Sequence, residues 1–173
     1  MPTVVALLRA VNVGGRKVPM VELRALVESL GFDDVRTYIQ SGNVLFSAPR
    51  TPKPGLLEQA IEERFGLFVD VVVRSGADLR RALERDPFPD ADRSKLHIGF
   101  MAKRPAASAV SALDPDAFLP ERFAIVGREL YLHLPGGMAR TKLPGYVLRR
   151  LAVPTTLRNW NTVTKLAELA RTS

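Results

Sequence analysis

The chain contains no cysteine, which excludes a disulfide framework, a thiolate metal site and a thiol nucleophile, and makes the cytoplasm the expected compartment. Histidine is almost as scarce. Only His97 and His133 could serve as a neutral base or imidazole ligand, and two histidines with neither cysteine nor a nearby carboxylate make a poor metal site. No metal and no cofactor are therefore expected. Long apolar runs are also missing: Val4–Leu8 is interrupted by Arg9 and lacks both a basic flank and a cleavage signal, so neither a secretory signal nor a membrane partner is expected. The signatures G-x-x-x-x-G-K-[ST], G-x-G-x-x-G and G-x-S-x-G do not occur, which leaves no nucleotide fingerprint, no nucleophile elbow and no catalytic set. The sequence leaves open whether the chain is an enzyme.

What it does have is 46% hydrophobic residues in 173, enough for a substantial core. It also carries a net charge of +7 that is unevenly spread: from Pro135 onward seven Lys/Arg stand against one Asp/Glu. Such an asymmetry favours anionic ligands or polyanions through long-range attraction.

Thr3–Ala10 reads as a central strand, apolar on both faces, with Val5 and Leu7 opposite Val4, Ala6 and Leu8. After the loop Val11–Val18, a helix opens at Pro19, carries Met20, Leu23, Leu26, Val27 and Leu30, and stops at Gly31. Val35–Ile39 and Val44–Phe46 form a hairpin turning at Ser41-Gly42-Asn43. A helix over Pro54–Phe65 and a strand over Phe68–Arg74 complete a βαββαβ order. Ser75 caps a short helix, and the proline- and aspartate-rich stretch 86–94 reads as a linker between a first half (1–85) and a second (95–173).

The second half repeats the order. It has a strand at Leu96–Met101, a helix around Ala106–Leu113, a hairpin over Phe123–Leu134 turning at Gly127-Arg128, a helix over Thr141–Leu151, and a strand at Thr155–Arg158. A final helix covers Thr162–Ala170, with Asn161 as its expected cap. The expected fold is α+β: two ferredoxin-like (βαββαβ) halves with antiparallel sheets in strand order 4-1-3-2 and an extra C-terminal helix.

The segments LLRAVNVGG (Leu7–Gly15), MVELRALVESLGF with VRTYIQSGNVLF (Met20–Phe46) and TTLRNWNTVTKL (Thr155–Leu166) together resemble the DUF1697 family, a bacterial domain of unknown function. The resemblance implies a cytoplasmic bacterial protein of ferredoxin-like halves and implies no activity. The chain departs from the family at Ala10-Val11, where glycine then isoleucine is more usual.

The 4-1-3-2 order places the loop after the first strand and the hairpin turn at one end of the sheet. That end collects Asn12, Gly14, Gly15 and Lys17 with Gln40, Ser41 and Asn43. In the ligand-binding reading the glycine amides, at what is expected to be a helix start, meet an anion. Lys17 and Arg158 supply charge, Gln40, Asn43 and Asn159 orient it, and Trp160 stacks. A second anion-binding candidate comprises Gly136, Gly137, Arg140 and Lys142. His97 and His133 are expected together near Tyr131, on a face free of helices. The expected function is binding of an anionic or phosphorylated small molecule. The alternatives are a nucleic-acid-binding module using the basic C-terminal segment and a protein-interaction module, with the oligomeric state unspecified.

Overall fold

A computed structural model describes residues 1–171. It contains eight strands and six α-helices in the order β1 (Thr3–Leu8), α1 (Met20–Ser29), β2 (Asp33–Thr37), β3 (Asn43–Ser47), α2 (Pro54–Phe65), β4 (Val71–Ser75), α3 (Gly76–Glu84), β5 (Leu96–Met101), α4 (Ala107–Ser111), β6 (Arg122–Val126), β7 (Glu129–His133), α5 (Leu143–Leu151), β8 (Thr155–Asn159) and α6 (Trp160–Arg171). The strands form two four-stranded antiparallel sheets, β2-β3-β1-β4 and β6-β7-β5-β8. Each is the 4-1-3-2 order of a ferredoxin-like half. The contacts divide the chain into two units, one of residues 1–80 with 165–171 and one of residues 81–164.

In the first unit β1 is buried along its whole length. Val4, Ala6 and Leu8 join Val44, Phe46, Val71 and Val73 in a layer closed by Leu23 and Val27 of α1 and Leu57 and Ile61 of α2. These helices form where apolar residues recur every three or four positions, and each is entered through a proline, at Pro19 and Pro54. The opposite face carries Val5 and Leu7, also buried, beside Arg74, whose Cα partner across the ladder is Val5. The end of α6 reaches that face: the Arg36 guanidinium, whose strand partner Leu45 also pairs with Val5, donates to the Leu169 carbonyl at 3.3 Å.

The second unit repeats the plan. Met101, Leu130, Leu132 and Leu134 pack against Leu143, Val147 and Leu151 of α5 and against Leu113. On the other face lie Leu96, Ile98, Phe100 and Tyr131, all buried, and the Tyr131 hydroxyl donates to the Ala82 carbonyl of α3 at 2.5 Å. Burial of that phenol pushes its pKa up.

The register exposes a likeness between the halves that element order alone could not show. Val71-Val72-Val73-Arg74-Ser75 matches Thr155-Thr156-Leu157-Arg158-Asn159. Arg74 pairs with Val5 and Arg158 with Ile98, each on the edge strand beside the central one. Each arginine donates to the carbonyl just before it, at 3.2 Å and 3.0 Å. The next residue then caps a helix: Ser75 Oγ accepts from the Asp78 amide at 3.0 Å and Asn159 Oδ1 from the Thr162 amide at 2.8 Å. The α6 cap is therefore Asn159 and not Asn161, because β8 runs straight into the helix and leaves Asn161 inside its first turn.

The first hairpin also differs in detail. Its strands are Asp33–Thr37 and Asn43–Ser47, with a register irregularity between Asp33 and Arg36, and the chain leaves β2 before Ile39, which turns to φ +51°. Gly42 sits at φ +87° against β1, and its carbonyl accepts from the Leu8 amide at 2.9 Å. A methyl group there would stand 2.7 Å from Val11 Cγ2 and 2.8 Å from Leu8 Cβ, whereas at Gly14, φ +55°, it would meet nothing within 4 Å. Gly42→Ala should accordingly cost about 2–4 kcal/mol, from left-handed strain plus a core clash, and Gly14→Ala only about 1 kcal/mol. Urea denaturation of the two variants checks the difference.

Candidate functional site

The loop after β1 and the turn before β3 meet at one end of the first sheet, as the strand order requires. Asn12 is the bracket between them. Its Oδ1 accepts from the Val18 amide at 2.9 Å, and its Nδ2 donates to the Val18 carbonyl at 3.1 Å and to the Gln40 carbonyl at 2.6 Å. Between these anchors the chain folds into a small hairpin in which Val13 pairs with Arg16. Gly14 and Gly15 form its tip with φ +55° and +83°, as a type I′ turn needs. Since α1 starts only at Met20, the two glycines stand at an exposed turn and not against the helix.

Much of the polar inventory here is engaged in holding the backbone. Arg16 donates from Nε to the Ala10 carbonyl at 3.0 Å and from Nη2 to the Phe68 carbonyl at 2.6 Å. Asn43 is fully buried and donates to the Tyr38 carbonyl at 2.9 Å and to Ser41 Oγ at 3.0 Å. Lys17 is exposed, as is Gln40.

Arg158, Asn159 and Trp160 belong to the second unit. The Arg158 side chain is 7% exposed and donates to Thr156 Oγ1 at 2.6 Å; burial pulls its pKa down to about 10, so it remains a cation at neutral pH. Trp160 is half-buried, and the guanidinium of Arg93 lies 4.9 Å from its ring centroid. Arg93 also pairs with Asp86 and donates to the Pro89 carbonyl at 2.5 Å, so the segment after α3 is fastened beside that ring.

The two histidines are on opposite faces of their sheet. Leu96 pairs with His133 and His97 with Leu132, and directly opposed residues of antiparallel strands share a face. His97 therefore lies with the leucines under α5, while His133 lies with Leu96, Ile98 and Tyr131. Alternation on β5 was compatible with either face, because both are apolar. His97 Nδ1 is buried without a hydrogen-bond partner among the described residues, and desolvation holds the imidazole below its ordinary pKa of 6.5. His133 is lowered too, first by desolvation and then by Arg122, whose Nη2 lies 3.4 Å from Nδ1, while Asp92 acts weakly against them.

The second anion-binding candidate lines a cavity. Gly136, Gly137, Arg140 and Lys142 line a groove of about 320 Å³ with Thr141, Glu121 and Phe118. The hairpin register explains why the last two are there. Arg122 pairs with His133, so residues just before β6 lie beside those just after β7. That register was the available signal for Phe118 and Glu121, which reasoning by local motif passes over. Thr141 Oγ1 donates to Glu121 Oε1 at 2.8 Å and accepts from the Leu143 amide at 3.2 Å, tying the groove wall to the start of α5. Arg140 and Lys142 are exposed and make no ion pair among the described residues.

A larger cavity in the first unit, about 460 Å³, has Arg80 and Arg171 in its wall. There the start of α3 at Gly76 abuts the end of α6 at Ala170, so opposite helix-dipole ends answer each other. Among the described residues no group of three His, Cys, Asp or Glu is placed to hold a metal ion, and no helix is long and apolar enough to cross a membrane.

A family model described as "Protein of unknown function (DUF1697)" matches residues 1–131. The solved structure of the conserved bacterial protein SP0830 from Streptococcus pneumoniae is similar, with a TM-score of 0.76 and 24% sequence identity over 99% of each chain. At that identity the likeness concerns the fold. No curated protein matches the sequence.

The placement of the histidines has a consequence for stability. A group whose folded pKa is depressed below that of the unfolded chain lets the unfolded state take up protons first. Stability should therefore be full above about pH 6.5 and fall as the pH drops below it. Urea midpoints measured between neutral and mildly acidic pH should show this decline, and His97→Gln should flatten part of it; an unchanged slope in that variant would contradict the buried, neutral imidazole.

Proposed function

The chain belongs to the DUF1697 family, whose description names no activity, and from its own geometry we propose that it binds an anionic, phosphorylated small molecule in the groove beside Gly136-Gly137. The observation that supports this reading is that two exposed cations, Arg140 and Lys142, which make no ion pair among the described residues, share one cavity with a glycine-lined wall. Glycine lets an anion approach the backbone closely, and the two side chains supply charge. By contrast Arg16 and Arg158 are taken up by protein oxygens.

Glu121 places one carboxylate in the same groove and reduces the net positive charge there. Two partly solvated charge-assisted contacts contribute about 1–3 kcal/mol each, about 2–6 kcal/mol together, so the dissociation constant should lie roughly between tens of micromolar and tens of millimolar.

The exposed Arg149 and Arg150 on α5 extend the basic surface beyond the groove and favour, as a second reading, a polyanion lying along that helix. Nucleic-acid affinity of this kind should fall steeply with salt.

Ribose 5-phosphate titrated calorimetrically into the protein should show saturable binding. The double variant Arg140→Ala, Lys142→Ala should weaken it about tenfold or more with no change in melting temperature, since both side chains are exposed. Unaltered affinity in that variant would refute the assignment.

A further inference from the structure

We infer that the ligand of this groove is a nucleoside monophosphate, an inference that rests on the anion-binding reading above and adds to it the groove's other two chemistries. The first is acidic. A bare phosphate drawn to Arg140 and Lys142 also meets the Glu121 carboxylate, which lines the same cavity. Thr141 donates to one oxygen of that carboxylate, Oε1. A carboxylate offers about four lone-pair sites, so acceptor capacity is left over. A ligand that carries hydroxyl donors close to its phosphate turns this repulsive neighbour into a hydrogen-bond acceptor, and the ribose of a nucleotide does so.

The second chemistry is apolar and flat. Phe118 lines the groove, and its ring packs on Tyr146 with centroids 5.1 Å apart. Tyr146 is itself held, by the Arg150 guanidinium 4.0 Å from its ring centroid and by a 3.0 Å bond that its hydroxyl accepts from the Asp114 amide. Phe118 is thus a braced ring at the edge of a cationic cavity. Among the described residues 81–164, the large hydrophobics that stand exposed are Leu119 and Met138, at 58% and 42%. Both are chain neighbours of residues that line this groove. A sugar phosphate alone leaves that apolar rim unused, whereas a base covers it by stacking. The volume, about 320 Å³, falls at the small end of the range for ligand sites.

The phosphate, hydroxyls and base could come from a free mononucleotide or from the 5′ end of a strand, and the test separates the two. The full chain is titrated by calorimetry with inorganic phosphate, ribose 5-phosphate, AMP, UMP and a 5′-phosphorylated oligonucleotide, at low and high salt. AMP or UMP should bind about tenfold more tightly than ribose 5-phosphate, the increment expected of one stacked base. Phe118→Ala should abolish that difference and leave ribose 5-phosphate unaffected; Phe118→Leu, which keeps the packing on α5, serves if the alanine variant does not fold. Glu121→Gln should weaken ribose 5-phosphate relative to inorganic phosphate. A 5′-phosphorylated strand that binds as AMP does, at both salt levels, supports the same recognition at a strand end. Equal affinity for AMP, UMP and ribose 5-phosphate overturns the inference and leaves anion binding standing. Binding of the oligonucleotide only, lost at high salt, overturns it in favour of a polyanion surface. No response to any phosphate overturns both.

Discussion

The first sheet is organised around a central strand that is apolar on both sides. β1 presents Val4, Ala6 and Leu8 one way and Val5 and Leu7 the other, and none is more than 1% exposed. At about 1.5–3 kcal/mol for each large side chain fully buried, leaving one side of such a strand in water would forfeit several kcal/mol, a large part of the roughly 5–15 kcal/mol net stability of a domain. A βαββαβ unit covers one face with its two helices. The second face needs something more, and the chain supplies it with the helices that follow β4 and β8: Tyr131 reaches the Ala82 carbonyl of α3, and Arg36 reaches the Leu169 carbonyl of α6. With both faces closed, polar chemistry is left to the sheet ends, where loops and helix starts gather.

At those ends the same residue types serve different purposes. Asn12 and Asn43 look like ligand groups in sequence, and each is found holding backbone in place, as is Arg16: Asn12 joins the loop to the turn, Arg16 grips two carbonyls, and Asn43 closes the turn from inside. The buried Asn43 amide must have its hydrogen bonds met, and the Tyr38 carbonyl and Ser41 hydroxyl meet them. At the end of β7 the balance differs. Thr141 and Glu121 bond to one another, while Arg140 and Lys142 stay in solvent beside a glycine wall, so charge remains available to a ligand.

Much of this was legible in the sequence, because periodicity and punctuation are local. Pro54 to Gly66 marked α2 to the residue, and the order of elements required the Asn12 loop and the Gln40–Asn43 turn to share one end. Which face of a strand the helices take is not local. Leu96, Ile98 and Phe100 alternate as regularly as the residues between them, and only the pairing of Leu96 with His133 shows that His97 lies under α5. The α6 cap was misplaced for a similar reason: two asparagines flank Trp160, and only the length of β8 decides between them. Phe118 and Glu121 required the register of β6 on β7, in which Arg122 meets His133. The repeated arginine-then-cap segment was visible as VVVRS and TTLRN, but its weight depends on both arginines occupying the same place beside a central strand.

We place the proposed anion site at the end of the β6-β7 hairpin and not at the loop after β1. Amide chemical shifts of the nitrogen-15-labelled protein, followed during titration with ribose 5-phosphate, test it most directly. Saturable shifts are expected at Gly136, Gly137, Thr141 and Lys142, with Gly14, Gly15 and Asn43 unmoved. Shifts confined to Gly14, Gly15 and Lys17 would contradict it.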